Sequence, residues 1–308
     1  MMTTMRTKTT TKQKGEETKV MSSAPPDVPC TERDLYGQGH PIESAELIAA
    51  KLKAFEEEVA KISDEEKPCL LKAEEKCPEL LNDAFKLMFL RCEVFNADLA
   101  AKRYCHYWVQ RVVVFGEERA FEPLTVDKAL RDDEVALAQG FMNFTGKVDP
   151  TGRSILFVDP SKQDPTAYEA KSMCRAFWYV LHSMLEDEET QKKGIVAVVW
   201  PHHVSLKQMD KKLMKLNTDS LRNCIPVRVS AFHICHPPRI FSVVFPILKF
   251  FMGEILKKRI RVHSGSKEKV LKILEEVGLT KDLVPSQLGG DVAIDAKKWI
   301  QERREAGL

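Results

Sequence analysis

Apolar residues begin to recur at helical spacing only from Ile42 onward. Leu47, Ile48, Leu52, Phe55, Val59 and Ile62 follow one another at steps of three and four, the stripe of an amphipathic helix. Pro68 and Pro78 punctuate the next stretch. A run through Leu80, Leu81, Phe85, Leu87, Met88, Phe89 and Leu90 then leads into a helical pattern that carries Leu99, Tyr104, Trp108 and Val109. The first third is therefore predicted to be all-helical. After Pro123 the period changes. Residues 154–158 (SILFV) form a short apolar run between Asp149-Pro-Thr-Gly152 and Asp159-Pro160, which predicts a strand after a turn. A helix is predicted from Asp164 to about Leu185, with Pro165 in its favoured first position. Residues 194–200 are apolar throughout and end at Pro201, as expected of a strand buried on both faces. Residues 205–221 read as an amphipathic helix. Residues 226–236 read as a strand with Val227, Val229, Ala231, His233 and Cys235 on one face, and Arg228, Ser230, Phe232, Ile234 and His236 on the other. A short strand at 260–263 and helices near 266–277 and 295–305 complete the pattern. Strands alternating with helices predict an α/β fold with a mostly parallel sheet.

Composition places limits on this picture. Of 308 residues, 44% are hydrophobic and 30% charged, with a net charge of +2, so the chain can bury a core and lacks the basic excess of a nucleic-acid binder. No apolar run reaches the roughly 18 residues of a membrane span. The eight cysteines form no C-x-x-C pair, and no secretory signal precedes them. They fit small core residues of a reduced, cytoplasmic protein. Residues 1–40 hold Thr, Lys, Ser, Pro and Gly with little periodicity, and are expected to be a disordered tail. The basic start, with no acid before Glu16, also fits an organelle transit peptide. The expected organisation is a tail at 1–40, a helical lobe at 41–122 and an α/β lobe at 123–308.

Residues 237–253 (PPRIFSVVFPILKFFMG) stand apart. Arg239 and Lys249 are their only charges, so a helix here has almost no polar face. It is either buried on all sides or turned toward a ligand or a membrane. Lys257, Lys258, Arg259 and Arg261 follow at once. An apolar segment beside a basic cluster has the composition of an interfacial membrane contact. A solvated helix end, where cations offset the macrodipole, would look the same.

Catalytic motifs are missing. No G-x-S-x-G, G-x-x-x-x-G-K-[ST] or G-x-G-x-x-G occurs, and no catalytic residue is assigned. His202, His203, His233, Cys235 and His236 invite a metal reading, but no second cysteine or carboxylate lies at ligand spacing. No metal and no cofactor are expected.

Five segments in order resemble the CRAL-TRIO family of lipid-binding domains. They are Phe89-Leu-Arg91 with 95–101 (FNADLAA) and Trp108; 149–157 (DPTGRSILF); 225–238 (IPVRVSAFHICHPP); 257–263 (KKRIRVH); and 284–290 (VPSQLGG). The pattern is nearest to tocopherol-transfer and retinaldehyde-binding members, and more distant from phosphatidylinositol-transfer members. It spans about residues 80–295. The resemblance implies a helical N-terminal lobe on an α/β lobe whose sheet floors an apolar pocket, covered by a mobile gate helix at 237–253. It implies no enzyme. It implies one hydrophobic ligand (phospholipid, tocopherol-like, retinoid-like or sterol-like), transferred or presented at membranes. A lipid-sensing regulatory module without net transfer is the alternative. Pocket candidates are Phe157, Phe177, Val198, Trp200, Phe232, Ile234, Phe241, Val244, Phe245 and Leu248, for each of which ordinary core packing is the competing reading. Arg228 and Arg259, with Lys257, Lys258 and Arg261 nearby, are candidates for phosphoinositide headgroups or an anionic membrane surface. Ser230 stands where such members carry a further cation. Val227, Leu256 and Glu93 depart from phosphatidylinositol-binding patterns and argue against a buried phosphatidylinositol headgroup.

Overall fold

A computed structural model describes residues 24–308. Helices α1 (Ala45–Lys61), α2 (Pro68–Lys76), α3 (Asp83–Cys92) and α4 (Ala97–Arg119) form the N-terminal part. Then come α5 (Glu134–Ala138), β1 (Met142–Val148), β2 (Ser154–Val158), α6 (Ala170–Met184), α7 (Glu188–Lys193) and β3 (Ile195–Val199). The chain continues through α8 (Lys211–Asn223), β4 (Val229–Cys235), α9 (Phe241–Lys257), β5 (Ile260–His263), α10 (Lys267–Glu275) and α11 (Ala296–Glu305).

Side-chain caps fix where several helices start. Ser44, Asn82, Asn96 and Asp210 each accept a backbone N–H three residues on, which satisfies donors the first helical turn leaves open. The predicted start at Pro165 is displaced. Asp164 instead accepts from Thr166 N and Oγ1 and closes a turn, and the helix begins only at Ala170. Around α4 the aromatic rings of Phe55, Phe85, Phe89, Tyr104, Tyr107 and Trp108 meet edge to face, an arrangement their quadrupoles favour. This core continues into the α/β part. Arg175 of α6 donates twice to the fully buried Asp133, both at 2.6 Å, and at 3.0 Å to the Val114 carbonyl of α4.

The sheet has the order β1-β2-β3-β4-β5, with β1 antiparallel and the other pairs parallel. The antiparallel edge strand β1 goes beyond what periodicity predicts. Its pairing with β2 is irregular between Phe144 and Val148, and Gly146 there has φ +67°. On one face lie α6, α8 and α9, in a core continuous with the N-terminal helices; on the other lie α10 and the segment to Leu288.

The β3–β4 pairing skips a residue: Ile195 pairs with Val229 and Val196 with Ala231. This bulge turns Val229 to the same face as Phe232 and Ile234, where strict alternation puts it on the opposite face. The described part of the expected loose tail also differs from expectation. Residues 24–40 lie against the fold, with Val28, Gln38 and His40 buried and Asp34 paired with Arg153. Their polar side chains find buried partners more than a hundred residues away, which local composition does not reveal. Residues 1–23, and the transit-peptide reading, fall outside the described residues. Among the described residues no helix is long and apolar enough to cross a membrane.

Candidate functional site

Between the sheet and the three helices on its first face lies a cavity of about 240 Å³. Leu156, Val158, Ile195, Val199, Val229, Phe232, Ile234 and Ile260 form its floor. Phe177 and Leu181 of α6 and Leu213, Met214, Asn217 and Leu221 of α8 form its walls. Phe241, Val244, Leu248, Met252 and Leu256 of α9 close it. The lining is overwhelmingly apolar. Asn217 is among the lining residues, and its Oδ1 is buried with no hydrogen-bond partner among the described residues. Such a group costs about 1–3 kcal/mol unless something donates to it.

Helix α9 is apolar on both sides. Its inner stripe faces the cavity, while Val243, Phe250 and Ile255 point outward, Phe250 with 79% of its surface exposed. Two features weaken its continuity. Pro246 lies inside it and removes a backbone donor. Gly253 breaks the helical path at φ +69°, where a Cβ would stand 2.8 Å from Arg222 Nε. The backbone there (φ +69°, ψ 172°) is one that glycine adopts without strain and other residues rarely do. The path of α9 thus changes at Gly253, and Leu256 beyond the break still reaches the cavity.

Of the predicted pocket residues, Phe177, Phe232, Ile234, Phe241, Val244 and Leu248 meet at this cavity. Four do not. Phe157 and Val198 face the opposite side of the sheet, among Cys235, Leu274 and Leu288, and Trp200 packs against the same cluster. Side chains alternate along a strand, so the cavity receives their neighbours Leu156, Val158 and Val199 instead. Phe245 stacks on Phe241 at 4.8 Å, with Lys249 Nζ 4.3 Å from its ring, and stays off the lining. The α8 wall and Asn217 escaped the sequence reading. The amphipathic spacing of Leu213, Asn217 and Leu221 was the available signal.

The predicted basic residues divide into two groups. Lys257, Lys258 and Arg261 lie at the surface, Lys257 paired with Glu254 at 2.7 Å and Arg261 bonded to the Lys258 and Ile260 carbonyls. Arg228 and Arg259 turn inward to a polar cleft beside the fully buried Arg153. Arg153 donates to Asp149, Asp34 and Ser230, so Ser230 is a link in this network. Gly194 makes room: a Cβ there would lie 2.4 Å from the Arg228 carbonyl oxygen. Glu93 pairs with Arg103 at 2.5 Å and does not join the cleft.

The histidines also separate. His233 bonds to Tyr36 Oη at 3.0 Å and to His263 at 2.9 Å, and burial pushes its pKa down to about 3. His202, His203 and His236 cluster beside Trp200. Among the described residues no group of three or more His, Cys, Asp or Glu is arranged to hold a metal. Cys92, Cys174, Cys224 and Cys235 are buried thiols whose pKa burial raises to about 12, far from a reactive thiolate.

Fold and cavity place the protein in a known class. Residues 138–290 match the model of the CRAL/TRIO domain, so the chain carries a CRAL-TRIO domain. It is similar to the alpha-tocopherol transfer protein-like protein of Mus musculus, with 29% identity over 71% of this chain and 62% of that protein. It is also similar to clavesin-2 of Homo sapiens, with 26% identity over 68% of this chain and 62% of that protein. The chain thus spans about 62% of the length of these relatives. The crystal structure of Sfh5 shares the fold, with a TM-score of 0.52 at 14% identity, over 87% of this chain and 100% of that one.

Proposed function

We propose that this protein is no enzyme, and that it holds one lipid or other hydrophobic small molecule in the cavity under α9 and transfers or presents it at membranes. The observation that carries the reading is an apolar cavity closed by a helix that is apolar on both its faces. Burial stabilises an apolar ligand by about 25 cal/mol per Å², so such a cavity retains a lipid by area alone. The outward residues Val243, Phe250 and Ile255 suit the same helix to a bilayer surface. Helix α9 is the gate, and its break at Gly253 is where it swings. A tocopherol-like or sterol-like cargo, whose one hydroxyl can donate to Asn217, fits this lining better than a charged headgroup. The name of the alpha-tocopherol transfer protein-like relative supports that preference.

The lobe that does this spans 123–308 on a helical lobe at 41–122. The protein works in the cytoplasm and at membranes peripherally. Lys257, Lys258 and Arg261 meet the anionic surface, and Arg228 and Arg259 meet a phosphoinositide headgroup there. A sensing role without net transfer is the second reading, favoured by the closed cleft around Arg228. The test is transfer of a fluorescent lipid between vesicles. Wild type should transfer, and Leu248→Asp, which puts a charge on the cavity lining, should lose transfer while remaining folded. Equal rates would overturn the cavity reading; uptake without delivery would favour sensing.

A further inference from the structure

The residue immediately before β2, β4 and β5 is an arginine each time: Arg153, Arg228 and Arg259. Their partners are unequal. Arg153 has two carboxylates, Asp149 and Asp34. Arg228 has only the Lys192 carbonyl at 3.1 Å, the Gly39 carbonyl at 3.3 Å and His40 Nδ1 at 3.4 Å. Arg259 faces the side-chain oxygen of Gln38, 3.2 Å from Nη2. Three inward guanidinium groups thus share two carboxylates, and neither Arg228 nor Arg259 has one of its own among the described residues. Burial, together with repulsion from the neighbouring arginines, lowers the pKa of both.

What faces them is one small hairpin. Thr31 N donates to His40 O at 2.9 Å, Asp34 N to Gln38 O at 3.0 Å and Gly37 N to Asp34 O at 2.8 Å, and Gly37 turns the tip at φ +73°. Asp34 holds the tip's shape through Tyr36 N and Gln38 N. One carboxylate, one carboxamide and one carbonyl are thereby presented to three arginines. These are the acceptor groups of an anionic ligand, supplied by the chain itself and mostly uncharged.

We propose that residues 31–40 are the resident occupant of an anion site, and that a multiply charged phosphate group displaces this strap by competing with the Gly39 carbonyl for Arg228 and with Gln38 for Arg259, while Asp34 anchors the strap to Arg153. Charge-assisted bonds to a phosphate are stronger than those to a neutral amide or carbonyl, so the exchange favours the phosphate at the two arginines that lack a carboxylate. The proposal rests on the headgroup role given above to these arginines. It adds that the site is closed until the strap leaves.

The test uses the full chain, wild type and Asp34→Asn/Gln38→Ala. The probes are phosphatidylcholine vesicles with and without phosphatidylinositol bisphosphate, and inositol trisphosphate in solution. The variant should bind the phosphorylated probe about tenfold tighter, because apparent affinity scales with the fraction of molecules whose site is open. In wild type, hydrogen exchange at residues 31–40 should speed up when the probe is added. Tightening toward both probes makes the phosphate itself sufficient; tightening toward vesicles alone makes the lipid headgroup the ligand, and either supports the exchange. Equal affinities with unchanged exchange would overturn strap competition and leave the headgroup role standing. No binding by either protein would overturn both, without touching the cavity reading. If the variant does not fold, the wild-type exchange decides alone: faster exchange supports the proposal, and unchanged or slower exchange overturns it.

Discussion

The two sides of the sheet, two residues apart along the same strands, have opposite chemistry. On one side Phe232, Ile234 and Leu156 face a cavity with almost no polar atoms. Near the strand starts on the other, Arg153, Ser230 and Gln38 form a fully engaged polar network under the strap. Strand alternation separates the two environments over the thickness of one sheet. The apolar side is left incompletely filled by protein, and the polar side is occupied by the chain's own N-terminal segment. The first is suited to exchange a molecule of any apolar shape. The second discriminates by charge.

The comparison breaks most severely at Arg153. Arg153→Ala leaves the buried Asp149 and the largely buried Asp34 without their countercharge. It should cost about 3–5 kcal/mol in denaturant unfolding, whereas conservative changes on the cavity floor cost less. A loss under 1 kcal/mol would mean that the network is solvated and open.

Acid should act on both sides, by about 2 kcal/mol each. Burial holds His182, on the helical side, at a pKa of about 4 and His233, on the strap side, at about 3. Each lies below the unfolded value near 6.5, so the unfolded chain binds more protons between these values. Stability is then full above about pH 6.5 and falls as the pH drops toward the folded values, by about 2 kcal/mol per histidine down to about pH 5. Denaturant titrations across this range check it, and His233→Gln should remove that residue's share, about 2 kcal/mol by about pH 5. A stability independent of pH over that window would contradict the burial of both imidazoles.

Smaller effects sharpen the cavity side. Asn217→Leu removes an unpartnered buried oxygen and should stabilise lipid-free protein by about 1 kcal/mol, while weakening retention of hydroxyl-bearing lipids. Thermal melts with and without cargo separate the two. Smallest in stability, within about 0.5 kcal/mol, is Phe250→Ser on the outer stripe. It should lower vesicle binding several-fold, and unchanged sedimentation with vesicles would remove α9 from the membrane contact.

Much of this architecture was legible in the chain itself. Gly and Pro punctuation around all-apolar runs located β2 and β3, and the missing polar stripe marked α9. The faces were harder. Phe157, Val198 and Trp200 attract attention by size, yet parity sends them to the far side, and a single skipped residue in β4 inverts Val229. The strand β1 hides because Gly146 interrupts its alternation at an edge. Least legible was the strap. Asp34 and Gln38 look like surface residues until Arg153 and Arg259, more than a hundred residues on, are brought to meet them.

The central claim, that the cavity beneath α9 holds one hydrophobic molecule, is tested most directly by extracting the purified native protein into organic solvent and weighing what is released by mass spectrometry. The structure predicts about one lipid per chain, with the amount greatly reduced in Leu248→Asp. A wild-type protein that releases no lipid, and takes none up from vesicles, would contradict it.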